Sequence, residues 1–209
     1  FIENGRIMLK RSDGTDWIRY ELPERVATVT AMKLGALGSV DTTVAACATG
    51  SDNIGRLADL IRLGKLDAGI AGGTEAPIHR IGYASFNNMR ALHRTDDPET
   101  ASTPFDTHAA GFVMAEGAGA VVLESLAHAK KRGARIYAEF LGYGHTSDAF
   151  HDTMPREDGS GNARAIRLAL LEAHVNPEEI DYVIPANDRS KRSMDLIVEI
   201  IKQELLANS

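Results

Sequence analysis

Residues 40–64 read VDTTVAACATGSDNIGRLADLIRLG, and the change of pattern at Cys47 within this stretch decides how the chain is organised. Residues 40–46 are rich in β-branched types, which suit extended backbone. From residue 48 to residue 63 the apolar side chains Ile54, Leu57, Ala58 and Ile61 recur at helical spacing, and Gly64 stops the pattern. The sequence therefore predicts a strand that runs into a helix at the cysteine. Residues 67–71 form a short apolar run into Gly72-Gly73, which predicts a second strand parallel to the first across that helix.

A cysteine at such a junction lies at the positive end of the helix dipole, a setting that favours the nucleophilic thiolate. Ala46, Ala48 and Gly50 are small enough to let a carbonyl approach the sulfur, and N–H groups at the helix start can receive a developing oxyanion. Spacing alone fits a second reading better, in which Cys47 is a buried, inert side chain packed as a small apolar group.

Outward from this stretch, the pattern keeps alternating. Residues 5–22 suit a hairpin with its turn at Asp13-Gly14, and residues 25–34 suit a helix ended by Gly35. Residues 78–104 read as short helices and loop, and 112–124 as a strand with a small-residue start. A short capped helix over 125–132, a strand over 136–143 and an amphipathic helix over 162–174 follow. A strand over 182–184 and a helix over 194–206 close the chain. This order predicts an α/β fold with a mixed, mostly parallel sheet and flanking helices.

Composition limits the function classes. With 209 residues, 44% of them hydrophobic, the chain can bury a core of its own. A formal net charge of -6 argues against nucleic acid or an anionic membrane as the main partner. One cysteine cannot form an intrachain disulfide, and no apolar run reaches the ~20 residues of a membrane span. A cytoplasmic location is the expectation. The chain opens on Phe1 without an initiator Met, which reads as an internal piece of a longer protein.

Ala45-Ala46-Cys47-Ala48-Thr49-Gly50, followed by Asn53-Ile54-Gly55, resembles the active-site cysteine motif of the β-ketoacyl synthases, the condensing enzymes of fatty-acid and polyketide assembly. Ala71-Gly72-Gly73-Thr74-Glu75, Pro104-Phe105-Asp106, Gly111-Phe112-Val113 and Glu116-Gly117-Ala118-Gly119 match further family landmarks in order. The likeness continues through Thr146-Ser147-Asp148-Ala149-Phe150-His151. The resemblance implies a partial thiolase-like fold, homodimeric in the complete enzyme. It also implies a 3-oxoacyl-(acyl carrier protein) synthase in which Cys47 accepts an acyl chain from an acyl carrier protein, for condensation with malonyl carrier protein. Phe86 falls where family members carry an aromatic residue beside the cysteine, so Phe86 and Ala46 are the expected substrate-binding residues; ordinary core is the alternative for the phenyl ring. No cofactor, metal, nucleic acid or membrane is implied. By the same resemblance the chain divides into an N-terminal segment of unclear role (1–25), a synthase-like core (26–184) and a divergent C-terminal helical segment (185–209).

The pattern also breaks. The His-Gly-Thr-Ser-Thr motif that delivers the family's first catalytic histidine is absent after Asp181-Tyr182-Val183, where the chain reads Ile184-Pro185-Ala186-Asn187. None of the seven histidines occupies a family catalytic position, so the isolated chain is expected to be inactive in condensation. Ala109-Ala110 stand where Arg-Asp is common. A non-catalytic synthase-like partner or a degenerate pseudoenzyme is the alternative reading. The cluster His145, Asp148, His151 and Asp152 has metal-ligand chemistry, but a polar loop explains it more simply. Lys130, Lys131, Arg132 and Arg135 could meet an acidic carrier protein, or simply end a helix favourably. The glycines of 116–119 lack nucleotide-loop spacing and are expected to serve packing.

Overall fold

A computed structural model describes residues 2–3, 6–7, 23–104, 106–151 and 154–184. The first two segments are the short strands β1 (Ile2–Glu3) and β2 (Arg6–Ile7), paired antiparallel with Ile2 opposite Ile7 and Glu3 opposite Arg6. The hairpin turn expected at Asp13-Gly14, Phe105 of the Pro-Phe-Asp landmark, and the helix expected over 194–206 lie outside the described residues. Helix α1 spans Arg25–Leu34 and ends as expected at Gly35, whose left-handed φ of 65° lets its N–H reach back to the last carbonyls.

Helix α2 (Thr49–Arg62) and strand β3 (Ala68–Glu75) are the centre of the molecule. Strand β3 does not stop at Gly72-Gly73 but runs through them, because both its sides need the missing side chains there. On one side helix α2 crosses so closely that a Cβ on Gly73 would lie 3.2 Å from the Gly50 Cα. Further along, Leu57 covers Gly69, where a Cβ would lie 2.6 Å from its Cδ1. The spans match: seven helical residues rise roughly 10 Å and four strand residues roughly 13 Å. Leu57, Ala58 and Ala71 are buried in this contact.

Helix α3 (Arg80–Asn88) follows, its start capped by His79, whose Nδ1 accepts the Gly82 N–H at 3.1 Å. Strand β4 (Gly117–Glu124) then pairs with β3 antiparallel, from Ala68 opposite Glu124 to Glu75 opposite Gly117. Short helix α4 (Leu126–Lys131) starts at a Ser125 cap, and α5 (Ser160–Ala173) is the last α-helix among the described residues. Most of β4 is exposed and shows apolar surface, with Val122 60% accessible.

Three expected strands are not strands. Residues 40–45, 136–143 and 182–184 are irregular, and the expected parallel neighbour of β3 is therefore missing. Among the described residues the one parallel pairing is an isolated bridge between Leu92 and Phe112. The reason lies in where the backbone groups bond. The Thr43 N–H goes to Asn53 Oδ1 (3.4 Å) and the Ala45 N–H to Thr49 Oγ1 (2.9 Å), so side chains of α2 take donors that a ladder would need. Likewise the Leu141 carbonyl accepts Arg62 Nη2 at 2.7 Å and the Tyr143 N–H donates to Glu172 Oε2 at 3.4 Å. Side-chain hydrogen bonds thus hold residues 43–45 and 141–143 without a sheet partner.

Gly72 gives a direct check of the central packing. A Cβ there would sit 2.0 Å from the Gly119 carbonyl oxygen, which is backbone and cannot swing away. Gly72→Ala is expected to cost about 3 kcal/mol or more, read as a lowered midpoint in urea unfolding; a wild-type midpoint would refute the described β3–β4 contact.

Candidate active site

The nucleophile candidate is carried by a turn rather than by a strand end. Ala46–Ala48 form one turn of 3₁₀ helix that leads straight into α2 at Thr49. Ala46 has φ 47°, a left-handed conformation that costs a non-glycine residue roughly 1–2 kcal/mol. That bend turns the incoming chain into the helix and leaves the Cys47 thiol exposed. In this structure Cys47 is exposed and not packed as a core side chain. The residues preceding both the turn and α2 are alanines that provide no side-chain cap, and the turn's own carbonyls serve instead, with the Ala48 N–H on the Ala45 carbonyl (3.0 Å) and the Thr49 N–H on the Ala46 carbonyl.

A polar stripe on α2 fixes the turn. Thr49, Asp52, Asn53 and Arg56 recur every three or four residues, which places them on one face of the helix. Thr49 and Asn53 take the amides of Ala45 and Thr43, and Asn53 Nδ2 also donates to the Gly72 carbonyl at 3.1 Å. One asparagine thus ties the segment before the cysteine to the strand beneath it. Asp52, only 6% exposed, is the buried charge of the stripe. Its Oδ2 accepts Arg56 Nε at 2.8 Å, and His145 Nδ1 lies 2.7 Å from its Oδ1. Burial works against this charge, but Arg56, His145 and the Thr43 hydroxyl outweigh it and hold the carboxyl below its ordinary 3.8.

His145 is held in place by its neighbours in sequence. The Tyr143 ring lies where a Cβ of Gly55 would be, 2.3 Å from its Cδ2, and its hydroxyl donates to Asp59 Oδ2 at 3.1 Å. Gly144 passes so near α5 that a Cβ would meet the Ala165 carbonyl oxygen. Residues 143–145 are therefore wedged between α2 and α5. Beside them opens a cleft of about 380 Å³, lined by Asp59, Tyr143, His145, Leu168, Leu171 and Glu172.

The other sequence candidates are scattered. Ala46 is adjacent to the thiol and exposed. Phe86 is half-buried on α3, and its ring meets Phe112 edge to face at 5.2 Å and 84°. The His/Asp cluster is split among protein partners: His145 faces Asp52, Asp148 accepts the Arg156 N–H, and His151 accepts the Met154 N–H. Asp152 lies outside the described residues. Among the described residues no three such groups converge on one point. In the basic cluster, Arg132 binds Glu124 through two nitrogens and Arg135 lies over the Tyr137 ring at 4.7 Å, while Lys130 and Lys131 are exposed. The sequence reading missed Asp52; its i, i+4 spacing to Arg56 was visible, but its burial was not.

The family model described as Beta-ketoacyl synthase, N-terminal domain, matches residues 5–129, and the Beta-ketoacyl synthase, C-terminal domain, matches residues 137–197. The chain belongs to the β-ketoacyl synthase family. It is 46% identical over 162 residues to the 3-oxoacyl-[acyl-carrier-protein] synthase 2 of Staphylococcus aureus, covering 78% of this chain and 40% of that protein. The synthase 2 of Rhizobium meliloti (strain 1021) is 51% identical over 148 residues, or 70% of this chain and 35% of that protein. Among solved structures, a type II PKS ketosynthase bound to the hexaketide, in complex with its acyl-carrier protein, superposes with a TM-score of 0.82 at 34% identity. The match covers 91% of this chain and 47% of that one. A β-ketoacyl synthase from Burkholderia phymatum gives 0.81 at 33%, over 92% and 47%. The fold is thus a partial thiolase-like α/β fold, as these ketosynthases have, and this chain spans less than half of each of these relatives. No helix among the described residues is long and apolar enough to cross a membrane.

Asp52 predicts an acid dependence with a definite sign. Its folded-state pKa is lowered, so the stability it contributes is complete above the ordinary value of 3.8 and is lost as pH falls through the lowered one. Asp52→Asn is expected to flatten the acid limb of the unfolding midpoint measured between about pH 2 and 5; an unchanged limb would assign acid sensitivity to other carboxylates.

Proposed function

We propose that this chain carries the acyl-accepting part of a 3-oxoacyl-(acyl carrier protein) synthase, with Cys47 as the nucleophile. The observation that carries the reading is an exposed thiol on a strained turn at the start of a 14-residue helix, inside a family whose members condense acyl units. Cys47, as thiolate, attacks the carbonyl carbon of an acyl thioester on an acyl carrier protein. The oxyanion that forms accepts hydrogen bonds from N–H groups at the helix start, and the carrier's thiolate leaves and takes up the proton. In the second half-reaction malonyl carrier protein loses carbon dioxide, and the carbanion attacks the acyl-Cys47 carbonyl. The 3-oxoacyl product stays on the carrier, and the Cys47 thiolate is released. Ala46 leaves room beside the sulfur, and Phe86 with Phe112 supplies an apolar wall for the acyl chain. The partner is an acyl carrier protein and the complete enzyme a homodimer, working in the cytoplasm; the synthase-like core spans residues 26–184, between an N-terminal segment over 1–25 and a divergent segment over 185–209.

The second half-reaction needs an acid and a base, and no histidine of this chain stands at a family catalytic position. The isolated chain is therefore proposed to accept an acyl group but not to condense it. The absent histidine motif and the Ala109-Ala110 replacement favour a second reading, a non-catalytic synthase-like partner that shapes an acyl pocket.

Incubation with an acyl thioester followed by intact-mass and peptide mass spectrometry separates the two. One acyl group per chain is expected, confined to Cys47 and lost in Cys47→Ser, with no 3-oxoacyl product when malonyl thioester is added. A chain that iodoacetamide labels at Cys47 but no thioester acylates would support the non-catalytic partner instead.

A further inference from the structure

The strained residue that leads into the cysteine is bracketed by a single threonine. Thr49, the first residue of α2, accepts the Ala45 N–H on its Oγ1 at 2.9 Å and donates its own N–H to the Ala46 carbonyl. The first bond holds the chain before the N–Cα bond of Ala46 and the second holds it after, so together they fix the rotation that gives this residue its φ of 47°. The Ala48 N–H on the Ala45 carbonyl closes the same turn at 3.0 Å. That bond and the Thr49 N–H are made by backbone and come with any turn of this kind; Oγ1 is the contribution of the side chain. One helical turn further along, Asn53 Oδ1 accepts the Thr43 N–H at 3.4 Å, and Asn53 Nδ2 anchors the arrangement to the Gly72 carbonyl of β3 at 3.1 Å. The spacings agree: two residues of chain reach at most roughly 7 Å, and four helical residues rise about 6 Å. The amides of residues 43 and 45 are therefore held by residues 53 and 49 of one helix face.

We propose that Thr49 is a positioning residue for Cys47: its hydroxyl oxygen, by accepting the Ala45 N–H, keeps the left-handed bend at Ala46 closed and so fixes the direction in which the thiol is presented. A left-handed alanine and one net hydrogen bond are of similar energy and opposite sign. Without the Oγ1 acceptor the bend is no longer held against its own strain, and the amide of half-buried Ala45 loses its partner. The sulfur stays reachable, but the line along which it meets a carbonyl is no longer set. Acyl transfer depends on that line, whereas simple alkylation of an exposed thiol does not. The proposal rests on the reading of Cys47 as the acyl acceptor, and the experiment below separates the two.

Thr49→Val, which keeps the shape but has no acceptor, and Thr49→Ser, which keeps the acceptor, are made in the whole chain. Acylation of Cys47 by an acyl N-acetylcysteamine thioester is timed over a range of thioester concentrations, alkylation by iodoacetamide is timed alongside, and hydrogen exchange is followed at the Ala45 amide. In Thr49→Val the loss of one hydrogen bond is expected to lower the maximum acylation rate about ten-fold, and Ala45 amide protection to a similar degree. The half-saturating thioester concentration and the alkylation rate should each change less than about two-fold, since the thiol is exposed in any case. Thr49→Ser should recover most of the acylation rate and of the protection. The proposal is overturned if Thr49→Val acylates and exchanges as the wild type does, if Thr49→Ser recovers nothing, or if acylation and alkylation fall together with Tm, the mark of a merely structural residue. Should Thr49→Val fail to fold, Thr49→Ala carries the same measurement. A wild type that alkylates but never acylates sinks Cys47 as acyl acceptor, while exchange at Ala45 in Thr49→Val still decides whether the hydroxyl holds the turn.

Discussion

The rest of the structure depends on three backbones approaching one another without side chains between them. Helix α2 lies against β3 at Gly50 and Gly73, and β3 lies against β4 at Gly72 and Gly119. This close approach sets the height of the helix start above the sheet. Everything that presents the thiol is measured from there: Asn53 reaches the Gly72 carbonyl only because the first turn of α2 sits so low. Burial by large residues would give more hydrophobic stabilisation but would lift that turn off the strand. The geometry of the site has therefore been given precedence over the depth of the core here, and the buried residues beside it are Leu57, Ala58 and Ala71.

A second constraint operates through side-chain hydrogen bonds in place of a ladder. Residues 43–45 and 141–143 belong to no sheet, and their amides and carbonyls bond to Thr49, Asn53, Arg62 and Glu172. A helix with a polar stripe can thus serve as the neighbour that a strand would have been. Arg62 illustrates the economy: it pairs with Glu172, donates to the carbonyls of Phe140 and Leu141, and lies over the Phe140 ring. One side chain joins α2, α5 and the segment between them.

Much of this was legible in the sequence, and the failures have a common cause. Helix α1 and helix α2 follow from apolar spacing and from Gly35 and Gly64, since those are properties of the local chain. The strand at 68–75 was visible as well, though its run through Gly72-Gly73 was read as an ending. Residues 40–46 and 136–143 form no strand because a strand is a relation to a partner, and neither β-branched composition nor alternation in one segment says whether that partner exists. Cys47 was found by its motif and by the turn from extended to helical pattern. Asp52 was passed over because an acidic residue in a first helical turn is ordinarily solvated and favourable to the dipole, and only tertiary packing buries it. The partner of Phe86 was beyond reach for the same reason, as Phe112 comes from a distant part of the chain.

The glycine contacts under the cysteine turn have a consequence for inheritance. Any replacement of glycine adds at least one carbon, so positions such as 72 have no neutral direction in which to drift. In this lineage the cradle under the cysteine turn is therefore slower to change than exposed side chains, and a descendant that keeps the fold goes on displaying the thiol on the same turn.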